Sequence, residues 1–319
     1  MIDRIFFEHS NLYIDWQLSD ICNYKCHYCN FESKGGMNPW PELEAAKQLV
    51  DEIVRNSNHG YRTYNLLGGE PTLWKYYGEL CQYIKSVDDN CVIQTLTNGS
   101  RTLRWWQKFA PYMDKVVISH HSASSSAEHT SDVTKICSSH CSVSVQVLMD
   151  ATNFDECVEH FDYLITNNIG SRIVAKKAET TLGSGKWMEY TPSQQEWLIH
   201  SFQRTRDNEY QPSPYIRTKS VIDRKVMAGN GEKRWLSSNK EIILNGWNHF
   251  KGWRCNIGID MLSIRPNGDI KPSSACFNEV ILGNYKNDDF VLILPLAGYE
   301  CKYDSCFCGA DIEIEKYKQ

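Results

Sequence analysis

Six times before residue 210 the chain passes from a short apolar stretch to a longer amphipathic one, and that alternation limits the folds open to it. Leu12 to Leu18 interleaves Leu12, Ile14, Trp16 and Leu18 with Tyr13, Asp15 and Gln17, the two-residue period of a strand. After a polar loop, Pro41 opens a helix with Leu43, Ala46, Leu49, Val50 and Ile53 at helical spacing. Tyr61 to Leu67 predicts a second strand, Thr72 to Val87 a helix, and Cys91 to Thr97 a third strand. Further strands are expected at Lys115 to Ser119, Ser142 to Met149 and Arg172 to Lys176. Helices are expected at Arg101 to Ala110, Ala127 to Cys137 and Phe154 to Asn168. One more starts at Thr191-Pro192, with Trp197, Leu198 and Phe202 on its apolar side.

Repeated strand–helix units predict parallel strands with right-handed crossovers. Six units are too few for a closed eight-unit barrel. An open barrel or a doubly wound sheet remains, and both put the site in the loops after the strands. Those loops hold a cysteine cluster, Gly68 to Pro71, Asn98-Gly99 and His120-His121. Past residue 210 the character changes. Tyr210 to Pro214 suggests a linker, and residues 217 to 240 carry seven basic and two acidic side chains. A Gly- and Cys-rich tail follows, with a hairpin expected from Ile259 to Ile270 around Asn267-Gly268.

A net charge of −5 gives no reason for general adhesion to nucleic acid or anionic membrane. The first residues do not read as a signal peptide. The longest strongly apolar run, Phe290 to Leu296, is too short to span a bilayer, so no membrane partner is expected. A cytoplasmic location is expected, where thiols stay reduced and clustered cysteines suggest metal. The chain has 13 cysteines.

Cys22, Cys26 and Cys29 stand within eight residues, directly after the first strand. Soft thiolates favour zinc, copper(I) or iron–sulfur clusters. Structural zinc takes four ligands, and His27 lies awkwardly between two of the three thiols. A three-thiolate loop instead leaves one iron of a cubane open to an outside ligand. The segment CNYKCHYC resembles the CxxxCxxC motif of the radical S-adenosylmethionine (SAM) enzymes, with Tyr28 before the last cysteine. The resemblance implies a [4Fe–4S] cluster on Cys22, Cys26 and Cys29. It implies SAM chelated at the fourth iron and cleaved to a 5′-deoxyadenosyl radical that takes a hydrogen atom from substrate.

Gly68-Gly69-Glu70-Pro71 is similar to the GGEP motif of that family, which implies contact with the amino group of SAM. Two glycines admit a close ligand, and a carboxylate suits an ammonium. By the same resemblance Asn98 and Ser119 stand at cofactor-contacting strand ends, and Gln146 and Arg172 are candidates for similar contacts. Many relatives carry S-x-D after the fourth strand. This chain has Ser119-His120-His121-Ser122, so His120 and His121 are candidates for binding substrate or moving protons near neutral pH. Loss of His121 is then expected to stop product formation while sparing uncoupled SAM cleavage.

Cys255, Cys276, Cys301, Cys306 and Cys308 crowd the tail, where Cys255 through the hairpin to Cys276 resembles the opening of a SPASM or twitch extension. The resemblance implies one auxiliary [4Fe–4S] cluster, with Cys255, Cys276, Cys306 and Cys308 favoured and Cys301 the alternative. Structural zinc or free thiols are the competing readings. Cys81, Cys91, Cys137, Cys141 and Cys157 suit buried apolar positions.

The expected architecture is α/β: a partial (β/α)6 TIM-like barrel with a small Cys-rich α+β extension. Residues 1–210 would form the radical SAM core, 211–246 a basic linker and 247–319 the auxiliary extension. The expected partners are a compact small-molecule or peptide substrate and a reductant such as a flavodoxin or ferredoxin. The short lead before the cysteine loop favours a compact substrate or one delivered by a partner. A second reading is modification of a nucleotide or nucleic-acid base, using Arg217, Lys219, Arg224, Lys225, Lys233 and Arg234 with Trp235 and Trp247. A third is a non-catalytic iron–sulfur or zinc protein that binds a partner.

Overall fold

Strand order separates the two architectures that the alternation leaves open. The computed structural model describes residues 2–7, 10–29, 34–168, 171–181, 186–207, 224–228, 232–236, 239–307 and 311–318. An opening strand β1 (Ile2–Phe7) precedes the six alternating units. The units are β2 (Asn11–Gln17), α1 (Leu43–Asn56), β3 (Tyr61–Leu67), α2 (Tyr77–Val87), β4 (Cys91–Thr97), α3 (Leu103–Phe109) and β5 (Lys115–His120). They continue with α4 (Ala127–Ser138), β6 (Ser142–Met149), α5 (Phe154–Asn167), β7 (Arg172–Lys177) and α6 (Pro192–Asp207). Strands β2 to β7 lie side by side in chain order, each parallel to the next. A doubly wound sheet reverses its order at a switch point among its strand–helix units; β2 to β7 do not. The arrangement is an incomplete α/β barrel.

Amphipathic helices close its outer face. Helix α1 buries Ala46, Leu49, Val50 and Ile53, the spacing expected of a helix against a sheet. They meet Leu12, Ile14 and Trp16 on β2 in one continuous core. Thr102 and Ser126 accept the N–H groups of Trp105 and His129, starting α3 and α4. The helix expected from Thr72 is shorter. Pro71–Leu73 forms a single tight turn, Trp74 is extended, and α2 begins at Tyr77. On α6, Trp197 packs edge-on against Phe154 and Phe161, whereas Phe202, expected on the apolar side, is exposed.

The later chain provides β8 (Arg224–Ala228), β9 (Lys233–Leu236), α7 (Asn239–Leu244), β10 (Arg254–Cys255), β11 (Met261–Ile264) and β12 (Asp269–Lys271). Short strands β13 (Gly283–Asn284), β14 (Tyr299–Glu300) and β15 (Lys316–Tyr317) follow. The expected hairpin is present, with Ile264 opposite Ile270 and Gly268 at positive φ in its turn. Strand β11 joins the barrel sheet parallel to β2, with Leu262 beside Ile14. A second sheet runs β14-β10-β15-β1-β8-β9 and pairs Ile5 with Lys316. The expected linker at 210–214, together with Arg217, Lys219 and Cys308, lies outside the described residues, as do the side chains of Arg224, Lys225, Lys233 and Trp235. Arg234 is described and sits over the Trp247 ring, 5.2 Å from its centroid.

Candidate active site and second cysteine cavity

The inward-facing residue near the C-terminal end of each parallel strand reaches a common cavity of about 300 Å³: Gln17, Leu67, Leu96, Ser119, Leu148 and Lys176. Two residues earlier on β2, β3, β4 and β6 lies a more polar layer of Asp15, Asn65, Gln94 and Gln146. Asn65 Nδ2 donates to Asp15 Oδ1 at 2.5 Å, and Gln94 Nε2 donates to Asn65 Oδ1 at 2.8 Å. Burial raises the Asp15 carboxyl to about 6, against the Asn65 bond. Gln146 belongs to this lower layer. It does not line the cavity; its Oε1 accepts a bond from Lys176 Nζ at 3.1 Å.

The cysteine loop lies over this floor because two backbone segments dock side by side. Gly69 N–H donates to the Ser19 carbonyl at 2.9 Å, and Glu70 N–H to the Ile21 carbonyl at 2.8 Å. A Cβ on Gly69 would stand 2.3 Å from the Ile21 oxygen, so only glycine permits this approach. The close approach expected of a ligand is thus first an approach to the chain itself. Both glycines still line the cavity, as do Cys22, Cys26 and Cys29. Cys22 Sγ accepts the Tyr24 N–H at 3.3 Å, with Asn98 Nδ2 at 3.9 Å. Burial nevertheless pushes the Cys22 thiol up to about 11 and raises Cys26 and Cys29. Three such neighbours resist joint ionisation until a cationic centre takes their charge. This donor set suits a cluster held by three thiolates.

Glu70 acts differently from the expectation. Its side chain is wholly buried, and its carboxylate accepts bonds from Thr72 N–H, the Thr72 and Thr97 hydroxyls and Asn98 N–H. It ties the loop after β3 to the loop after β4 and is not a cavity wall. Burial raises its pKa, opposed by those four donors. Pro71 is buried beside it at the start of the tight turn. Asn98 does line the cavity.

The adjacent histidines separate. His121 lines the cavity, its Nδ1 2.7 Å from the Tyr28 hydroxyl, the two rings stacked at 5.8 Å. Burial lowers His121 to about 4 and holds Tyr28 well above its usual range. The imidazole is therefore neutral near pH 7 instead of titrating there. The Tyr28 hydroxyl is also hydrogen-bonded to the Cys26 thiol, and in the Tyr28–His121 pair the imidazole tautomer decides whether the hydroxyl or Nδ1–H donates. His120 is fully buried outside the cavity, bonded to Thr130 and to His160 at 2.9 and 2.8 Å. Strand alternation sends it to the opposite face of the sheet. Arg172 is also displaced. It is exposed at the start of β7, and the far end of that strand brings Lys176 and Lys177 instead. His27 lies 3.5 Å from Asp150 and is absent from the cavity wall.

Lys34, Glu179 and Trp187 complete features of this wall that sequence reasoning missed. Gln17 and Lys176 carried a usable signal, since each falls in phase with the inward residues of its strand. Lys34 and Trp187 lie in loops without such a period.

A second cavity of about 300 Å³ is lined by Cys255, Cys276, Cys301 and Cys306. Cys255 sits on β10 between β14 and β15. Cys301 is fixed by Gly252 N–H on its carbonyl and by its own N–H to Trp253 O, at 2.9 and 2.8 Å. Cys306 N–H reaches Asn248 O, and Cys276 N–H reaches the Ser273 hydroxyl. Cys301, left out of the favoured set, thus faces the same space as the other three. Burial raises the Cys255 thiol while Lys316 lowers it. Among the described residues, no three His, Cys, Asp or Glu side chains converge on a single metal ion. Cys81, Cys91, Cys137, Cys141 and Cys157 are all buried, as their apolar surroundings suggested.

Residues 16–174 match the family described as the Radical SAM superfamily. The chain carries a radical SAM domain and belongs to that superfamily of enzymes. Among curated proteins it is similar to the GTP 3′,8-cyclase of Edwardsiella ictaluri, 35% identical over 107 residues, 31% of this chain and 30% of that protein. The GTP 3′,8-cyclase of Haemophilus ducreyi is 28% identical over 114 residues, 34% of this chain and 32% of that protein. The chain thus spans about a third of the length of the curated relatives it matches. Among solved structures, anSMEcpe with bound AdoMet and the Kp18Cys peptide aligns at TM-score 0.54 and 14% identity, over 87% of this chain and 78% of that one. Streptococcus suis SuiB bound to precursor peptide SuiA aligns at 0.53 and 16%, over 88% and 63%. At these identities the structural likeness establishes the fold. No helix among the described residues is long and apolar enough to cross a membrane.

Proposed function

We propose that Cys22, Cys26 and Cys29 hold a [4Fe–4S] cluster and that SAM binds in the cavity beneath it. When bound, the pair supplies a 5′-deoxyadenosyl radical that abstracts a hydrogen atom from substrate. Gly68, Gly69, Asn98 and Ser119 present polar backbone and side-chain groups to SAM. Tyr28 and neutral His121 form one wall. Lys176, braced by Gln146, offers a positive charge to an anionic group. Glu70 and the Asp15–Asn65–Gln94 ladder hold these groups in place from outside the cavity. The observation that carries this reading is the convergence of three loop cysteines and the Gly68-Gly69 edge on one cavity at the strand ends.

The second cavity is assigned one auxiliary [4Fe–4S] cluster on Cys255, Cys276, Cys301 and Cys306, for substrate binding or electron transfer. The division into a core, a basic linker and a 247–319 extension belongs to the same reading. The substrate is compact, and a flavodoxin or ferredoxin would supply the electron. A nucleotide substrate gains support from the GTP-cyclase relatives and from Lys34, Lys176, Lys177 and Trp187 around the cavity.

The test is anaerobic incubation of the reduced, reconstituted protein with SAM, alone and with GTP. Formation of 5′-deoxyadenosine is expected. Its absence from protein with intact clusters would favour a binding module, and a SAM-dependent change in GTP would select the nucleotide reading.

A further inference from the structure

Lys316 is a cation in a place where cations are costly. Its side chain is 1% exposed, and it lines the second cysteine cavity. It stands directly across the β10–β15 pair from Cys255. Its Nζ donates to the carbonyls of Asp311 and Ile314 and lies 5.3 Å from the centroid of the Phe250 ring. Carbonyl and ring dipoles orient an ammonium, but they do not neutralise it. The nearest acidic side chain on this wall is Asp311, also buried. Its carboxylate is engaged by the Ser273 and Ser274 hydroxyls and the Ser274 N–H, which shape the loop leading to Cys276. That carboxylate is itself a negative charge, but it faces the serines, while the ammonium, bonded to carbonyls, stands opposite Cys255. Beside four thiols, Lys316 is thus placed to meet an anionic occupant. A cubane bound by four thiolates is such an occupant, and it gains a further negative charge on reduction.

We propose that Lys316 is the charge-compensating residue of the second cavity, raising the reduction potential of the cluster that Cys255, Cys276, Cys301 and Cys306 would hold. This rests on the auxiliary-cluster assignment above. A fixed positive charge stabilises the reduced state of a neighbouring cluster more than its oxidised state. Lys316 does not touch the first cavity, so its influence belongs to one site.

The experiment uses the full chain, reconstituted anaerobically, as wild type, Lys316→Met and Lys316→Arg. Iron is counted, and each cluster is titrated with dithionite under EPR detection. About eight irons are expected in the wild type. In Lys316→Met one midpoint potential should fall while the other stays, and Lys316→Arg should keep both near wild type. An eight-iron Lys316→Met with both potentials unchanged, or both shifted alike, overturns the inference. Should Lys316→Met lose four irons, their return in Lys316→Arg at the wild-type potential supports the charge. Loss in both variants overturns it in favour of a packing role. A wild type with only four irons sinks the auxiliary cluster itself, a distinct result.

Discussion

Cys22, Cys26 and Cys29 share one loop, whereas Cys255, Cys276 and the Cys301–Cys306 pair reach their cavity from three separate segments. The first set is brought together by chain connectivity and is held over the barrel mouth by the Gly69 and Glu70 contacts together with those of Asn23 to Asn98 and Tyr28 to His121. The second depends on strand pairing between β10, β14 and β15 and on the loop around Ser273. Locality leaves the first site in touch with the tail through β11 beside β2, and long-range pairing makes the second answerable to the whole molecule. The two should therefore fail separately when one is attacked.

The largest effect is expected from Cys26→Ser, which should reduce 5′-deoxyadenosine formation to background. The second cluster's spectrum should survive. Cys301→Ser should remove about half of the iron while SAM cleavage continues. A second cluster that survives Cys301→Ser but not Cys308→Ser would return the fourth ligand to the last tail cysteine. Gly69→Ala forces the Ile21 carbonyl aside and should cost about 1–3 kcal/mol in urea unfolding, with iron lost from the first site alone.

Two pH tests confine the comparison to the barrel. His121 is lowered by burial to about 4, so the unfolded chain takes up the proton first as pH falls. Stability present above pH 6.5 is then lost toward pH 4, by about 1–2 kcal/mol, and His121→Gln should flatten that slope. Activity should show no inflection from His121 between pH 5 and 8. Asp15 runs the other way. Its pKa is raised by burial, so its penalty is complete above about 6 and absent below 3.8. Asp15→Asn keeps an acceptor for Asn65 and should stabilise the protein by about 1 kcal/mol at pH 7, with no gain at pH 3.5. An equal gain at both pH values would show that charge burial is not the cause.

Much of this was legible in the amino-acid order. Two-residue and helical periods located all six barrel units, and the spacing of Cys22, Cys26 and Cys29 located the first loop. The rest failed where tertiary contacts decide. Adjacent His120 and His121 look equivalent in a line of letters, yet alternation across β5 and the turn after it assigns them to different environments. Arg172 and Lys176 lie on one strand, but only the latter is at the end that opens on the cavity. Glu70 reads as a ligand for an ammonium until its four internal donors are seen. By spacing Cys301 is the alternative, and what carries it to the cavity wall is β14 and the Trp253 contact, which sequence separation does not show.

The pairing of β15 with both β1 and β10 also imposes a timetable. During synthesis the first cysteine loop has the last of its cavity wall once Trp187 has left the ribosome. The second cavity waits for residue 316, when Lys316 can settle between Ile5 and Cys255. Iron delivered early finds one finished pocket and a set of loose thiols, so the two sites should fill in the order in which their walls are made.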